Sequence, residues 1–156
     1  MEIKIAIQGI QGSFHHQVAH RYFGGAIGLD ECVTFRDVAN SLKNNQSDKA
    51  IMAIENSIAG AILPNYALID SYDLHIIGEH FLDIHMNLMV LPGQTIVDIK
   101  EVHSHPIALL QCANFFSQYP HIKLVESSDT AITAKRIQEN QLRGIGALAG
   151  PVASEI

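Results

Sequence analysis

The chain has 156 residues, of which 47% are apolar and 17% are charged, and this composition suffices for the core of one compact domain or two small lobes. The formal net charge is −6 and Lys and Arg form no block, which argues against nucleic acid as the main partner. No apolar run reaches the length of a transmembrane helix, so no membrane partner is expected.

The first half of the chain alternates predicted strands with predicted helices. Apolar residues at every second position predict a strand at 3–7, and Gly24-Gly25 ends the helix that follows it. Pro64 is tolerated only near the start of a helix or as a kink. The predicted elements are strands at 3–7 and 31–35, helices at 14–23, 36–44 and 59–69, and a short apolar run at 50–54.

The second half begins with two consecutive predicted strands, which interrupt the alternation and place a lobe boundary there. We expect a first lobe at 1–78 and a second lobe at 79–156, which is incomplete because its last helix has room for only about two turns. The predicted elements are strands at 74–79, 82–91, 101–104, 123–126 and 144–149, and helices at 106–118, at 128–138 and from Pro151 onwards. Together they predict an α/β fold with mainly parallel sheets.

Four predicted strand-to-helix junctions, at 11–13, 55–57, 104–106 and 127–130, carry small polar residues. Ligands of open α/β sheets bind at the carboxyl ends of the strands, and helix N-termini offer free N–H groups to anions. At the third junction Pro106 suits a first helical turn, Ser104 or His105 would cap the helix, and Gln111 could share a helical face with the cap. Ordinary capped helices are the alternative at every junction, because the same residue types are preferred caps.

Other motifs in the chain are weak. Gly9-x-x-Gly12 follows a strand but lacks the third glycine of a dinucleotide fingerprint, and no P-loop or G-x-S-x-G elbow is present. The chain has nine histidines, and His103 and His105 alternate along one predicted strand, yet no pair brings two further ligands by spacing. We therefore expect no metal site.

Cysteine usage and the N-terminus indicate the compartment. Cys32 and Cys112 show no metal-ligand spacing and are interpreted as reduced, buried thiols. The chain begins directly with a strand pattern and has no secretory apolar region. We expect a cytoplasmic protein.

Five motifs occur in order along the chain. They are Gly9-x-x-Gly12-Ser13-Phe14-x-His16-Gln17-x-Ala19, Ile54-Glu55-Asn56-Ser57-x-x-Gly60, Gly78-Glu79, Ser104-His105-Pro106-x-Ala108-Leu109-x-Gln111-Cys112 and Ser128-x-Thr130-Ala131. Together they resemble a known family, the catalytic domain of prephenate dehydratase. The chain departs from the usual residues of the family at Ile10, Gln11, His15 and Ala53.

The resemblance implies a two-lobed fold like that of the type II periplasmic binding proteins, with the active site in the cleft. It implies the decarboxylating dehydration of prephenate to phenylpyruvate, in phenylalanine biosynthesis, without a cofactor or metal. The residues expected to contact or adjoin the substrate are Asn56, Ser57, Ser104, His105, Gln111 and Thr130. Ser13 and Glu55 are expected in supporting roles, Glu55 because an ionised carboxylate would repel a dianionic substrate.

The resemblance also implies parts that the 156 residues do not contain. The expected general acid is the Thr of a Thr-Arg-Phe motif that would lie beyond Ile156, so these residues alone are expected to be inactive. A phenylalanine-binding regulatory domain commonly comes next, and a homo-oligomer is expected. The alternatives are arogenate dehydratase and a non-catalytic small-molecule-binding module of the same fold.

Overall fold

The computed structural model describes residues 2–127 and 130–154, apart from the side chains of residues 130, 131 and 154. The chain divides into two compact units, Met1–Asp83 and Ile84–Ile156. The division falls a few residues after the predicted boundary at 78. That the second lobe is incomplete stays a prediction. Within the described ranges, no helix is long and apolar enough to cross a membrane.

The first unit contains a parallel sheet covered by helices. Its elements are β1 (Ile3–Gln8), α1 (Phe14–Phe23), β2 (Ile27–Cys32), α2 (Phe35–Lys43), β3 (Lys49–Ala50), β4 (Glu55–Asn56), β5 (Gly60–Ala61) and α3 (Leu63–Ser71). The strand order is β2-β1-β3, and all three strands are parallel. Ile5, Ala6 and Ile7 of the central strand are fully buried, as expected of a strand in the middle of a parallel sheet.

Cap residues fix the two helices that follow β1 and β2. The hydroxyl of Ser13 accepts a hydrogen bond from the His16 N–H, and Gly24 ends α1 at a φ of 63°. These bounds confirm the predicted helix at 14–23. Thr34 and Asp37 form a reciprocal capping box, so α2 begins at Phe35, one residue earlier than predicted.

Three predictions for the first unit are wrong. The strand predicted at 31–35 lies at 27–32, because it pairs with β1 from Ile3↔Ile27 onwards and the chain leaves it to cap α2. The helix predicted at 59–69 begins only at Leu63, after the antiparallel pair β4–β5, and Pro64 lies in its first turn as expected. Residues 74–79 form no strand, since no described strand of this unit pairs with them.

The second unit contains a four-stranded mixed sheet. Its elements are β6 (Asn87–Met89), a 3-10 turn (Ile96–Asp98), β7 (Glu101–Ser104), α4 (Pro106–Gln111), α5 (Ala113–Phe116), β8 (Lys123–Glu126), α6 (Thr130–Glu139), β9 (Ile145–Ala149) and a second 3-10 turn (Pro151–Ser154). The strand order is β6-β9-β7-β8, with only β6 antiparallel to its neighbour.

Two apolar clusters make up the core of the second unit. Val102 packs with Leu109 of α4 and Phe116 of α5 in one cluster, whereas Ala147 packs with Ile137 of α6 in the other. The strands predicted at 101–104 and 123–126 are confirmed, and the last strand begins one residue later than predicted. The strand predicted at 82–91 is wrong in extent, because only 87–89 pairs with β9.

The predicted helix at 106–118 is interrupted. It forms two short helices separated by Cys112, which has a φ of −100° and a ψ of 6° and serves as the end of α4 and the start of α5. The segment starting at Pro151 is a 3-10 turn within the described residues rather than an α-helix.

Candidate functional site

The loop at 9–13 connects β1 to α1 and contains the first predicted polar junction. Gly9 and Gly12 have φ values of 96° and 91°, which only glycine adopts without strain, so they permit the tight turn. The Gly9 N–H donates to the Cys32 carbonyl at 2.9 Å, and the Ser13 N–H donates to the Ile10 carbonyl at 3.0 Å. Ser13 itself is 4% exposed and acts as a helix cap.

His16 holds the same loop from inside the helix. The Gly12 N–H donates to Nδ1 of His16 at 3.0 Å, so Nδ1 carries no proton and the neutral ring carries its proton on Nε2. Burial, and secondarily the nearby His20, lower the pKa of His16 below its ordinary value. Both effects favour the neutral ring that this hydrogen bond requires.

A second backbone amide of this loop is already hydrogen-bonded to a carboxylate of the protein. The Gln11 N–H donates to the side chain of Glu31, a residue of the neighbouring strand β2. The loop therefore satisfies its Gln11 and Gly12 amides within the protein, so these two amides fit the alternative of an ordinary capped helix better than an open anion site.

The second junction is a hairpin rather than a helix start. The Asn56 side-chain oxygen accepts hydrogen bonds from the N–H groups of Ile58 at 2.9 Å and Ala59 at 3.0 Å, and Gly60 closes the turn at a φ of 74°. No described residue accepts a hydrogen bond from Asn56 Nδ2, so this amide group can donate to a ligand. Glu55 and Ser57 are exposed on either side of it.

Ser104 and His105 take different roles at the end of β7. Ser104 is fully buried, and its hydroxyl donates to the Leu148 carbonyl of β9 at 2.7 Å. His105 is exposed and caps α4, with its Nδ1 accepting from the Ile107 N–H at 3.3 Å. The cap is therefore His105, and a substrate contact by Ser104 stays a prediction.

Gln111 and the last junction complete the predicted set. Gln111 is half-buried at the end of α4, and its side chain has no hydrogen-bond partner among the described residues. The backbone of Thr130 begins α6, but its side chain and residues 128 and 129 lie outside the described residues. Just before them, the Ser127 N–H donates to the Ser104 carbonyl at 2.8 Å, so the ends of β7 and β8 are adjacent.

Each unit thus gathers part of the predicted set at the carboxyl edge of its own sheet. In the first unit the loop at 9–13 and the segment that leads to Asn56 both follow parallel strands. In the second unit Ser104 ends β7, His105 follows it, and the start of α6 follows the adjacent strand β8. Within the described part of the chain, no three His, Cys, Asp or Glu side chains are grouped to hold a metal.

A hydrogen-bonded network that the sequence does not predict lies on the face of β7 that carries Glu101 and His103. Arg136 Nη2 donates to Nδ1 of His103 at 2.9 Å, and His103 Nε2 lies 2.8 Å from a carboxylate oxygen of Glu101. Because arginine only donates, the ring proton is on Nε2, and its hydrogen bond lowers the pKa of Glu101. Glu101 and His103 are two residues apart in a strand, so the sequence predicts that they lie on the same face of β7. Nothing in the sequence indicates that Arg136 is their partner.

The fold is α/β with mainly parallel sheets and polar residues at their carboxyl edges, which is consistent with the fold of the type II periplasmic binding proteins that the resemblance implies. The model of the prephenate dehydratase family matches residues 5–156. The chain belongs to the prephenate dehydratase family.

Two relatives illustrate the match. The chain is 34% identical over 152 residues to a bifunctional chorismate mutase/prephenate dehydratase of Buchnera aphidicola, and 34% identical over 154 residues to arogenate dehydratase 2 of Petunia hybrida. These alignments cover 95% and 99% of this chain. The chain spans 39% of the length of each relative.

Two solved structures share the fold. One is described as a novel type of quorum-quenching acylase, with a TM-score of 0.84 and 29% identity, and the alignment covers 97% of this chain and 55% of that one. The other is a prephenate dehydratase of Arthrobacter aurescens in complex with L-Phe, with a TM-score of 0.76 and 22% identity. That alignment covers 98% of this chain and 52% of the other.

Proposed function

We propose that this chain supplies substrate-binding groups of a prephenate dehydratase, which converts prephenate to phenylpyruvate, carbon dioxide and water. Membership of the family across residues 5–156 is the observation that carries the proposal. Since the relatives are longer than the region they share with this chain, the activity is proposed for the protein in which these residues act. Arogenate, the substrate named in the Petunia relative, is the alternative.

The reaction defines what the protein has to do. The bond between the ring and its carboxylate breaks, its electron pair enters the ring, and the ring hydroxyl leaves as water after it takes up one proton. The protein must therefore donate a proton to that hydroxyl and hold two carboxylates in place. General-acid catalysis contributes about 10²–10⁴ in rate, and positioning adds to it.

Neutral donors suit the two carboxylates. We assign this role to the amide groups of Asn56 and Gln111, with Ser57, His105 and Thr130 adjoining the substrate. Neutral groups orient a carboxylate without leaving an unpaired charge in the empty site. The neutral His105 ring also fits, because Nδ1 accepts from the Ile107 N–H and the ring proton is then on Nε2.

The remaining assignments follow from the family. Glu55 supports the site rather than acting as an acid, because its carboxylate would repel a dianion. The general acid is the Thr of a Thr-Arg-Phe motif, which the 156 residues do not contain. We further propose a cytoplasmic homo-oligomer with phenylalanine as its regulator, in line with the L-Phe complex of the Arthrobacter relative.

Binding and turnover are tested separately. We expect prephenate titrated into the 156-residue chain to shift the NMR signals of the Asn56 and Gln111 side chains, without formation of phenylpyruvate. Asn56→Ala and Gln111→Ala should each weaken binding, whereas Gln118→Ala, at an exposed position, should not. The product of the longest reading frame containing these residues should form phenylpyruvate.

Two outcomes would contradict the proposal. One is that neither form binds prephenate or arogenate and the longer form produces no phenylpyruvate. The other is hydrolysis of an acyl-amide substrate in the absence of prephenate binding, which would favour the activity described for the acylase of similar structure. Robust turnover by the 156 residues alone would instead overturn the assignment of the general acid.

A further inference from the structure

Asn65 is a buried amide in the first turn of α3. Its residue surface is 3% exposed, and it is the one buried position among the nine of this helix, all of which are described. A buried amide destabilises the fold unless it is hydrogen-bonded. Asn65 Nδ2 donates to the Ala53 carbonyl at 2.7 Å, so the side chain connects α3 to the segment just before β4.

A second hydrogen bond lies beside this one. The Ile62 N–H donates to the Ile54 carbonyl at 2.8 Å, and the Asn65 N–H donates to the Ile62 carbonyl at 2.9 Å. Two connections, from Asn65 to Ala53 and from Ile62 to Ile54, therefore close the base of the hairpin formed by β4 and β5. The hairpin contains only two residue pairs, and so short a pair of strands is not stable without support.

Asn56 lies within this hairpin and is fixed in it. Its side-chain oxygen accepts from two N–H groups of the turn, so the direction of Nδ2 follows the orientation of the hairpin. The orientation of the hairpin in turn depends on its base. A change at the base therefore moves the amide that the proposed function assigns to a substrate carboxylate.

We propose that Asn65 is a positioning residue for Asn56, because its hydrogen bond to the Ala53 carbonyl sets the orientation of the hairpin that presents the Asn56 amide. Asn65 is buried and does not contact the substrate itself. This inference rests on the proposed function of Asn56. It adds a residue that lies outside every motif of the family resemblance.

Three variants test the inference. Asn65→Asp and Asn65→Leu keep the approximate size of the side chain and remove the donor, and Leu adds no buried charge that could prevent folding. Asn140→Asp is the matched control, because it removes a similar hydrogen bond, from Nδ2 to the Arg136 carbonyl at 2.9 Å, at an exposed position. The measurements are the Kd for prephenate, the NMR signals of the Asn56 side-chain amide, and the Tm, with binding measured well below the Tm.

We expect both Asn65 variants to raise the Kd about tenfold, the upper range for one lost hydrogen bond, and to shift or broaden the Asn56 amide signals. Asn140→Asp should change neither. A folded Asn65→Leu variant with unchanged Kd and unchanged Asn56 signals would overturn the inference, whatever its Tm. If the unmodified chain does not bind prephenate, the proposed function is in question, and the Asn56 signals alone then decide whether Asn65 positions this amide.

Discussion

Replacing Ser104 with alanine separates two possible roles of its hydroxyl. The family resemblance assigns this side chain to the substrate. In the structure it is fully buried and donates to the Leu148 carbonyl at 2.7 Å, a contact between β7 and β9, which are paired strands of one sheet. A hydroxyl that uses its proton in this way stabilises the sheet, so we expect the variant to lose stability whether or not the hydroxyl oxygen also contacts prephenate.

The size of the effect follows from the contact. Removing a buried hydroxyl eliminates one hydrogen bond and leaves the facing carbonyl without this donor, which together cost about 1.5 kcal/mol. For a chain of this size that loss lowers the Tm by roughly 3–6 °C. The chain contains no Trp, so urea and thermal unfolding are followed by circular dichroism. Hydrogen exchange at the amides of Val102 and Leu148 assigns the loss to this sheet.

Ser117→Ala is the matched control for this prediction. Ser117 also donates its hydroxyl proton to a backbone carbonyl, that of Asn114 at 2.8 Å, but it is exposed, so its replacement should change the stability by less than about 0.5 kcal/mol. Unchanged unfolding of Ser104→Ala together with a rise of about tenfold or more in its Kd for prephenate would contradict the assignment of this hydroxyl to the sheet. That result would make Ser104 a substrate contact, as the resemblance implies.

Three further predictions concern titration and reactivity. The pKa of His16 is lowered by burial in the folded state, so the unfolded chain binds the proton more tightly and stability should fall as the pH drops below the ordinary value of 6.5. His16→Phe should remove this pH dependence from the free energy of unfolding. An unchanged slope of the unfolding free energy against pH would contradict the prediction. Hydrogen bonds from Ser41, first, and Ser47 lower the pKa of Asp30, so its stabilising effect is present above pH 3.8 and is lost as the pH falls through the folded pKa. Ser41→Ala should raise that pKa in an NMR titration, and an unchanged titration would show that the hydroxyl is not its cause. Burial, and secondarily the Asp30 charge, raise the pKa of Cys32 to about 11. Mass spectrometry should therefore find slow alkylation of the Cys32 thiol at pH 8 in the folded chain and rapid alkylation in urea. Equal alkylation rates in the two conditions would contradict this prediction.

The elements that could be predicted from the sequence are those whose ends carry their own signals. The helix at 14–23 has a serine cap before it and a glycine after it, and both act as the sequence indicates. The sequence predicts the start of a helix where the structure has the hairpin at 55–61, although Asn56 and Gly60 are turn residues at a fixed offset. The apolar residues that follow them fit a helix as well as a strand, so the spacing of apolar residues alone does not decide between these two structures.

The strand predicted at 74–79 failed for a different reason. Its composition satisfies the pattern of a strand, but a strand also needs a neighbour that accepts and donates backbone hydrogen bonds. No described strand of the first unit pairs with this segment, and Ile76 and Ile77 are 63% and 59% exposed. A strand pattern states which residues suit a sheet, whereas the partner comes from elsewhere in the chain.

The same distinction applies to the candidate site. Ser104 lies two residues after Val102, so the alternation of a strand places both on the same face, and the burial of Val102 in the core already indicates that Ser104 is buried. Its acceptor, the Leu148 carbonyl, is 44 residues away and could not be predicted. The partners of Asn56, in contrast to that of Ser104, are close in sequence, because its side-chain oxygen accepts from the next few amides of its own turn. Local geometry therefore determines which group, Nδ2, remains for a ligand. Asn56 is therefore the residue on which a binding experiment most directly tests the proposed function.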